Sequence, residues 1–197
     1  MMCKKIGLIM MAVMMILTMN CKAKAVSYGD VTRLTSQELN LYSKHPWMAL
    51  KAKNAATDAE NAACKYWQKY TLYQGNGDAF RHGYWSALLT KRIGRDWAYE
   101  IGLAHEGLSK SYQFNKQEDD TKMDISNNYL GRVDGDKYIN YTDEVIRDII
   151  IIHVKNGNYK RIREYSSKNT GTANKFNGVY TRYRGYYIKT TKGGCTK

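Results

Sequence analysis

The chain has 197 residues, 31 Lys and Arg against 18 Asp and Glu, a net charge of +13 and four cysteines. That length suits one domain with a real core. No two-pair Cys pattern, P-loop or Gly-x-Ser-x-Gly elbow occurs, which excludes a zinc ribbon, a Walker-type nucleotide site and an α/β-hydrolase nucleophile.

Residues 1–25 read as a signal peptide. Met1 to Lys5 is a short basic region, Ile6 to Met19 is an uncharged apolar run too short to span a bilayer comfortably, and Ala23-Lys24-Ala25 is a small-x-small cleavage site. A lipid-modified Cys21 and a retained anchor are the competing readings. Each places the working part outside the cytoplasm, secreted or associated with the cell envelope. Removal of this segment leaves Cys64 and Cys195, which suggest one disulfide stapling the C-terminal tail to an early helix, with two free thiols as the alternative.

Residues 26–156 carry helical periodicity and predict a compact, multi-helix all-α domain. Thr35, Ser36 and Glu38 open a short helix, and Pro46 suits the first turn of the next, whose alanines recur at three- and four-residue spacing from Trp47 to Tyr70. Gln74-Gly75-Asn76-Gly77 is turn chemistry and delivers Asp78 as the N-cap of a helix through Lys91. Further helices are expected over Asp96 to Leu108, over Lys122 to Leu130 with Gly131 as terminator, and over Thr142 to Asn156 closed by Gly157. His45 and His153 read as helix-end residues.

Residues 157–197 form a short basic extension, irregular or β-rich. It holds ten Lys and Arg against Glu164 alone, a net of +9, interleaved with tyrosines and Phe176. Cations alternating with flat rings suit an anionic polymer such as teichoic acid, a nucleic acid, or an anionic membrane surface, and the alternative is a solvated, partly strand-forming extension whose tyrosines cover the helical core.

The chemistry concentrates between residues 78 and 132. Asp78 and His82 are four apart and share a helix face, while Arg81 is rotated by about 100°. Asp124, Asn128 and Arg132 follow the same rhythm on another helix and can meet His82 and His105 across a cleft. Two histidines and a carboxylate suffice for a divalent metal, zinc or calcium, with His82, His105 and Asp124 as ligands. Glu106 or Asp78 would then be the general base, and Arg81 or Arg132 would stabilise developing negative charge. Without a metal, His82 would activate water, oriented by Asp78 or Asp124. A third reading has these polar groups merely locking helices together.

Asp78-Ala79-Phe80-Arg81-His82-Gly83-Tyr84-Trp85, Ala104-His105-Glu106 and Met123-Asp124-Ile125-Ser126-Asn127-Asn128-Tyr129-Leu130-Gly131-Arg132 resemble the signatures of an uncharacterised bacterial helical domain. That family occurs in exported and wall-associated proteins and at the ends of RHS-repeat proteins, where toxin modules sit. The resemblance covers roughly residues 45–157, departs at Gly83, where Ala or Cys is frequent, and does not extend to the basic tail. It implies an effector or hydrolase acting at the envelope. Arg81-His82 before an aromatic, with an Asp from a second helix, also resembles secreted phospholipases, although their His-Asp dipeptide, calcium loop and paired helix cysteines are missing. The expected function is hydrolysis of an anionic envelope substrate, a phosphoester or phospholipid. The alternative is a non-catalytic exported protein attached to wall polymer or nucleic acid through its tail.

Overall fold

The computed structural model describes residues 34–165 and 171–173. The signal-peptide reading, Cys195 and most of the basic tail lie outside them. The described domain is all-α, as the periodicity predicts, and no helix in it is long and apolar enough to cross a membrane.

Helix α1, Ser36–Lys44, starts with a capping box: Thr35 Oγ1 accepts from Glu38 N, and Glu38 Oε2 accepts from Thr35 N. Helix α2, Pro46–Tyr66, has its proline at N1 and buries Met48, Ala52, Ala55, Ala59, Ala62 and Ala63 on one face. It stops four residues earlier than expected. Trp67 turns extended and drives its ring into the core, where it meets Phe80 at 5.8 Å.

Helix α3, Asn76–Ile93, is the axle of the domain. Nearly every residue from Asn76 to Thr90 is buried, with α2 and the later helices Arg95–His105, Asp119–Lys137 and Asp143–Lys155 packed around it. Such a helix must be apolar or internally satisfied all round. Phe80, Leu88 and Leu89 each contribute roughly 1.5–3 kcal/mol by leaving water.

Helix α4, Arg95–His105, ends three residues before the expected Leu108. Gly107 adopts φ 69°, and the amides of Gly107 and Leu108 turn back to the carbonyls of Ala104 and Leu103. Helix α5, Asp119–Lys137, runs straight through Gly131, the expected terminator. Gly131 is a contact glycine instead: an added Cβ would overlap the backbone of Gly83. One turn on, a Cβ on Gly135 would sit 2.8 Å from the Ala87 carbonyl oxygen. Helices α3 and α5 therefore touch backbone to backbone along Gly83/Ala87 and Gly131/Gly135. Helix α6, Asp143–Lys155, buries Ile146, Ile150, Ile151 and Val154 and is closed by Gly157 at φ 79°.

The chain then doubles back. Tyr159 and Ile162 are buried against the helices. Arg163–Tyr165 pairs antiparallel with Gly171–Ala173.

Candidate functional site

The first turn of α3 sets one wall of the site. Asp78 is not the N-cap, which is Gly75, but lies in the first helical turn. Its Oδ2 accepts from the backbone amide of Gln74 at 2.7 Å, and Gln74 stands in the left-handed region at φ 60°. This bond leaves Asp78 Oδ1 directed at the cluster, where it accepts from Arg81 Nη2 at 2.5 Å.

His82 follows one turn later, 4% exposed. Its Nε2 lies 3.7 Å from Asp78 Oδ1 and 3.5 Å from Asp124 Oδ1 on α5, and Arg81 Nη2 donates to it at 3.2 Å. That donation assigns the Nε2 lone pair to the cluster and the proton to Nδ1. The amide of Asn128 interacts with the ring and opposes its shift, yet His82 Nδ1 and both Asn128 amide atoms fall outside hydrogen-bond geometry. Burial, then Arg81 and His105, push the imidazole well below its ordinary 6.5, so His82 is neutral at pH 7.

Asp124 is opposite in behaviour. Burial, then the charges of Asp78, Glu106 and Asp120, raise its carboxyl well above 3.8, with Arg81 opposing. Beyond the 3.5 Å approach to His82, its Oδ1 has no hydrogen bond. Glu106, the C-cap of α4, is raised to about 7, chiefly by burial and against the pull of His105. One oxygen each of Glu106 and Asp120 is also buried and unpartnered. Four carboxyls thus crowd a low-dielectric corner with more negative charge than Arg81 alone offsets.

Asp78, His82 and Asp124 bring one ligand atom each within 4.8 Å of one another, a set that fits a cation once Arg81 Nη2, which here bridges Asp78 Oδ1 and His82 Nε2, gives way to it. This differs from the expected ligand set of His82, His105 and Asp124. His105 Nδ1 is engaged by Glu38 Oε1 at 3.0 Å, and its ring stacks edge-on to Trp85 at 4.9 Å. Burial lowers His105, but hydrogen bonding and charge from Glu38 outweigh it and leave the imidazole raised. Asp78, rather than His105, is the third member of the converging set.

Arg132 is not drawn into the cluster. One turn beyond Asn128, its guanidinium lies over the rings of Tyr99 at 4.9 Å and Tyr129 at 5.9 Å. The two asparagines also divide. Asn127 clamps the backbone of Lys160, donating to its carbonyl at 3.0 Å and accepting from its amide at 2.8 Å, while Asn128 faces Gly102 and His82. His153, expected to be a satisfied helix-end residue, pairs with Asp134 at 2.9 Å, which also accepts from Tyr159. Cys64 is disulfide-bonded and is the sole cysteine among the described residues; Cys195, its expected partner, lies outside them.

Glu38 and Asp120 are site residues beyond those singled out in sequence, and Trp85, one turn beyond His82 on nearly the same side of its helix, joins them. Glu38 carried one signal, as the acid of a capping box on a helix with few other reasons to bury a charge.

A groove of about 540 Å³ opens onto Arg81, His82, Trp85 and His105 and runs along the alanine face of α2. A family profile described as a domain of unknown function, DUF6973, matches residues 39–158. The chain belongs to this family. The DUF6973 match spans α1 to α6 almost entire, so the whole histidine–carboxylate cluster, Glu38 excepted, falls within it. No curated protein and no solved structure matches this DUF6973 chain.

Proposed function

We propose that the domain is a hydrolase that holds a divalent metal between Asp78, His82 and Asp124 and cleaves an ester of an anionic substrate, in the simplest case a phosphoester. The observation that carries this reading is the convergence of three buried ligand atoms within 4.8 Å. Two features favour a metal over a His-Asp dyad. Both carboxylates approach the same nitrogen of His82, whereas a dyad needs the acid on one nitrogen and water on the other. The acidic surplus around Asp124 also calls for a cation.

A nitrogen ligand beside two carboxylates suits zinc or a similar transition ion better than calcium, which takes oxygens. Such an ion supplies Lewis acidity and lowers the pKa of a bound water. Asn128 faces the His82 ring, and in the metal-bound state its amide would take the ring nitrogen turned away from the metal. Glu106, near neutrality in its pKa, receives the proton from water and returns it to the leaving oxygen. Arg81, on the groove side, holds the anionic group and offsets charge developing on the ester oxygens. The signal-peptide reading of residues 1–25 supports an activity outside the cytoplasm, and the expected partners of the basic tail would keep the enzyme at an anionic surface.

The test is hydrolysis of p-nitrophenyl phosphate and its diester by metal-loaded protein. Glu106→Gln should lower kcat by about 100-fold or more with metal retained. Activity indifferent to both a chelator and Glu106→Gln would overturn the proposal.

A further inference from the structure

The groove beside the site has a chemistry of its own. One wall is made by Ala49, Ala52, Ala56 and Ala59, spaced along one face of α2, with Leu34 and Tyr42 also lining it. Alanines remove bulk and leave a strip of methyl groups beside the polar side chains of Lys53, Thr57, Glu60 and Asn61, which also line the groove. A peptide laid along the methyl strip would strand the amides facing it, whereas an alkyl chain requires no partner.

The polar end is different. Trp85 is 7% exposed, and its Nε1 donor has no hydrogen-bond partner. Arg81 Nε is likewise buried and unpartnered, meeting Glu60 only at 3.9 Å. Two idle N–H donors and a guanidinium beside His82 ask for oxygen acceptors carrying negative charge.

We infer that the alanine trough takes the alkyl chain of a single-chain anionic amphiphile and that Trp85 Nε1 and Arg81 Nε receive the oxygens of its head group. The head-group assignment rests on the ester-hydrolase reading above. The trough itself is tested without turnover.

The probes are dodecyl phosphate, held below its micelle concentration, and inorganic phosphate, titrated calorimetrically into the full chain. Dodecyl phosphate should bind one per chain, at least about tenfold tighter than inorganic phosphate. Ala56 is exposed and Ala49 half-buried, so Ala56→Trp and Ala49→Phe can block the trough while sparing the core. Each should weaken dodecyl phosphate by about tenfold and leave inorganic phosphate unchanged. Equal affinities for the two probes, or dodecyl phosphate binding indifferent to both variants, would overturn the inference. Blockable dodecyl phosphate binding without hydrolysis of any alkyl ester would keep the trough and sink the hydrolase reading. Hydrolysis of short phosphoesters with no alkyl preference would do the reverse.

Discussion

Gly131 of α5 lies directly against the backbone of Gly83 on α3, so closely that a Cβ on Gly131 would overlap the Gly83 carbonyl. This contact sets the separation between the helix that carries Asp78 and His82 and the helix that carries Asp124 and Asn128. The convergence of Asp78, His82 and Asp124 is a consequence of that backbone approach.

Gly131→Ala should therefore cost about 3 kcal/mol in urea unfolding, because overpacking against backbone outweighs the gain in helix propensity of about 1 kcal/mol. Gly102→Ala is the control. Its Cβ would meet Asn128 at an ordinary 3.6 Å, so the variant should hold or gain stability. Similar destabilisation at both positions would contradict the close-approach account.

Much of the site was legible because helical spacing is strict. Asp78 and His82 on one face, with Asp124 and Asn128 on another, follow from three- and four-residue intervals alone. Gly131 was misread because a glycine near a helix end and a glycine at a helix crossing look alike until the partner helix is known. Arg132 keeps the right rhythm, yet the rings of Tyr99 and Tyr129 offer it a better place than the acidic corner. Glu38 stayed hidden since its pairing with His105 across α1 and α4 leaves no local periodicity. The alanines of α2 read as packing; only some pack, while Ala56 lines the groove.

Asn127 and Asn128 should separate stability from chemistry. Asn127→Ala removes both bonds to the Lys160 backbone and should cost about 2 kcal/mol. Asn128→Ala has no such bonds to lose but frees the His82 ring, so it should reduce metal affinity by roughly 10-fold or more at smaller cost in stability. Metal titration of the two variants beside their unfolding midpoints checks this, and weaker metal binding in Asn127→Ala than in Asn128→Ala would contradict it.

The Glu38–His105 pair gives a pH signature. Burial pushes Glu38 up, but His105 and the Thr35 cap outweigh it and hold the carboxyl below 4.5, so its contribution is present above pH 4.5 and lost as pH falls through the lowered value. His105 is raised above 6.5, so its contribution is present below pH 6.5 and lost as pH rises through the raised value. The pair stabilises most between those limits. Glu38→Gln keeps the cap on Thr35 and should cost about 1 kcal/mol near pH 5.5, the half-exposed imidazole being screened, with the penalty shrinking towards pH 9. A penalty that grows with alkalinity would contradict the assignment.

The most direct test of the account is the metal content of protein purified without chelators or affinity-tag metal, for the wild type and for His82→Ala, Asp124→Ala and Arg132→Ala. The account predicts near-stoichiometric transition metal in the wild type and in Arg132→Ala, and its loss in the other two. A wild type that stays metal-free under replete conditions, or retention of metal in His82→Ala and Asp124→Ala, would contradict it.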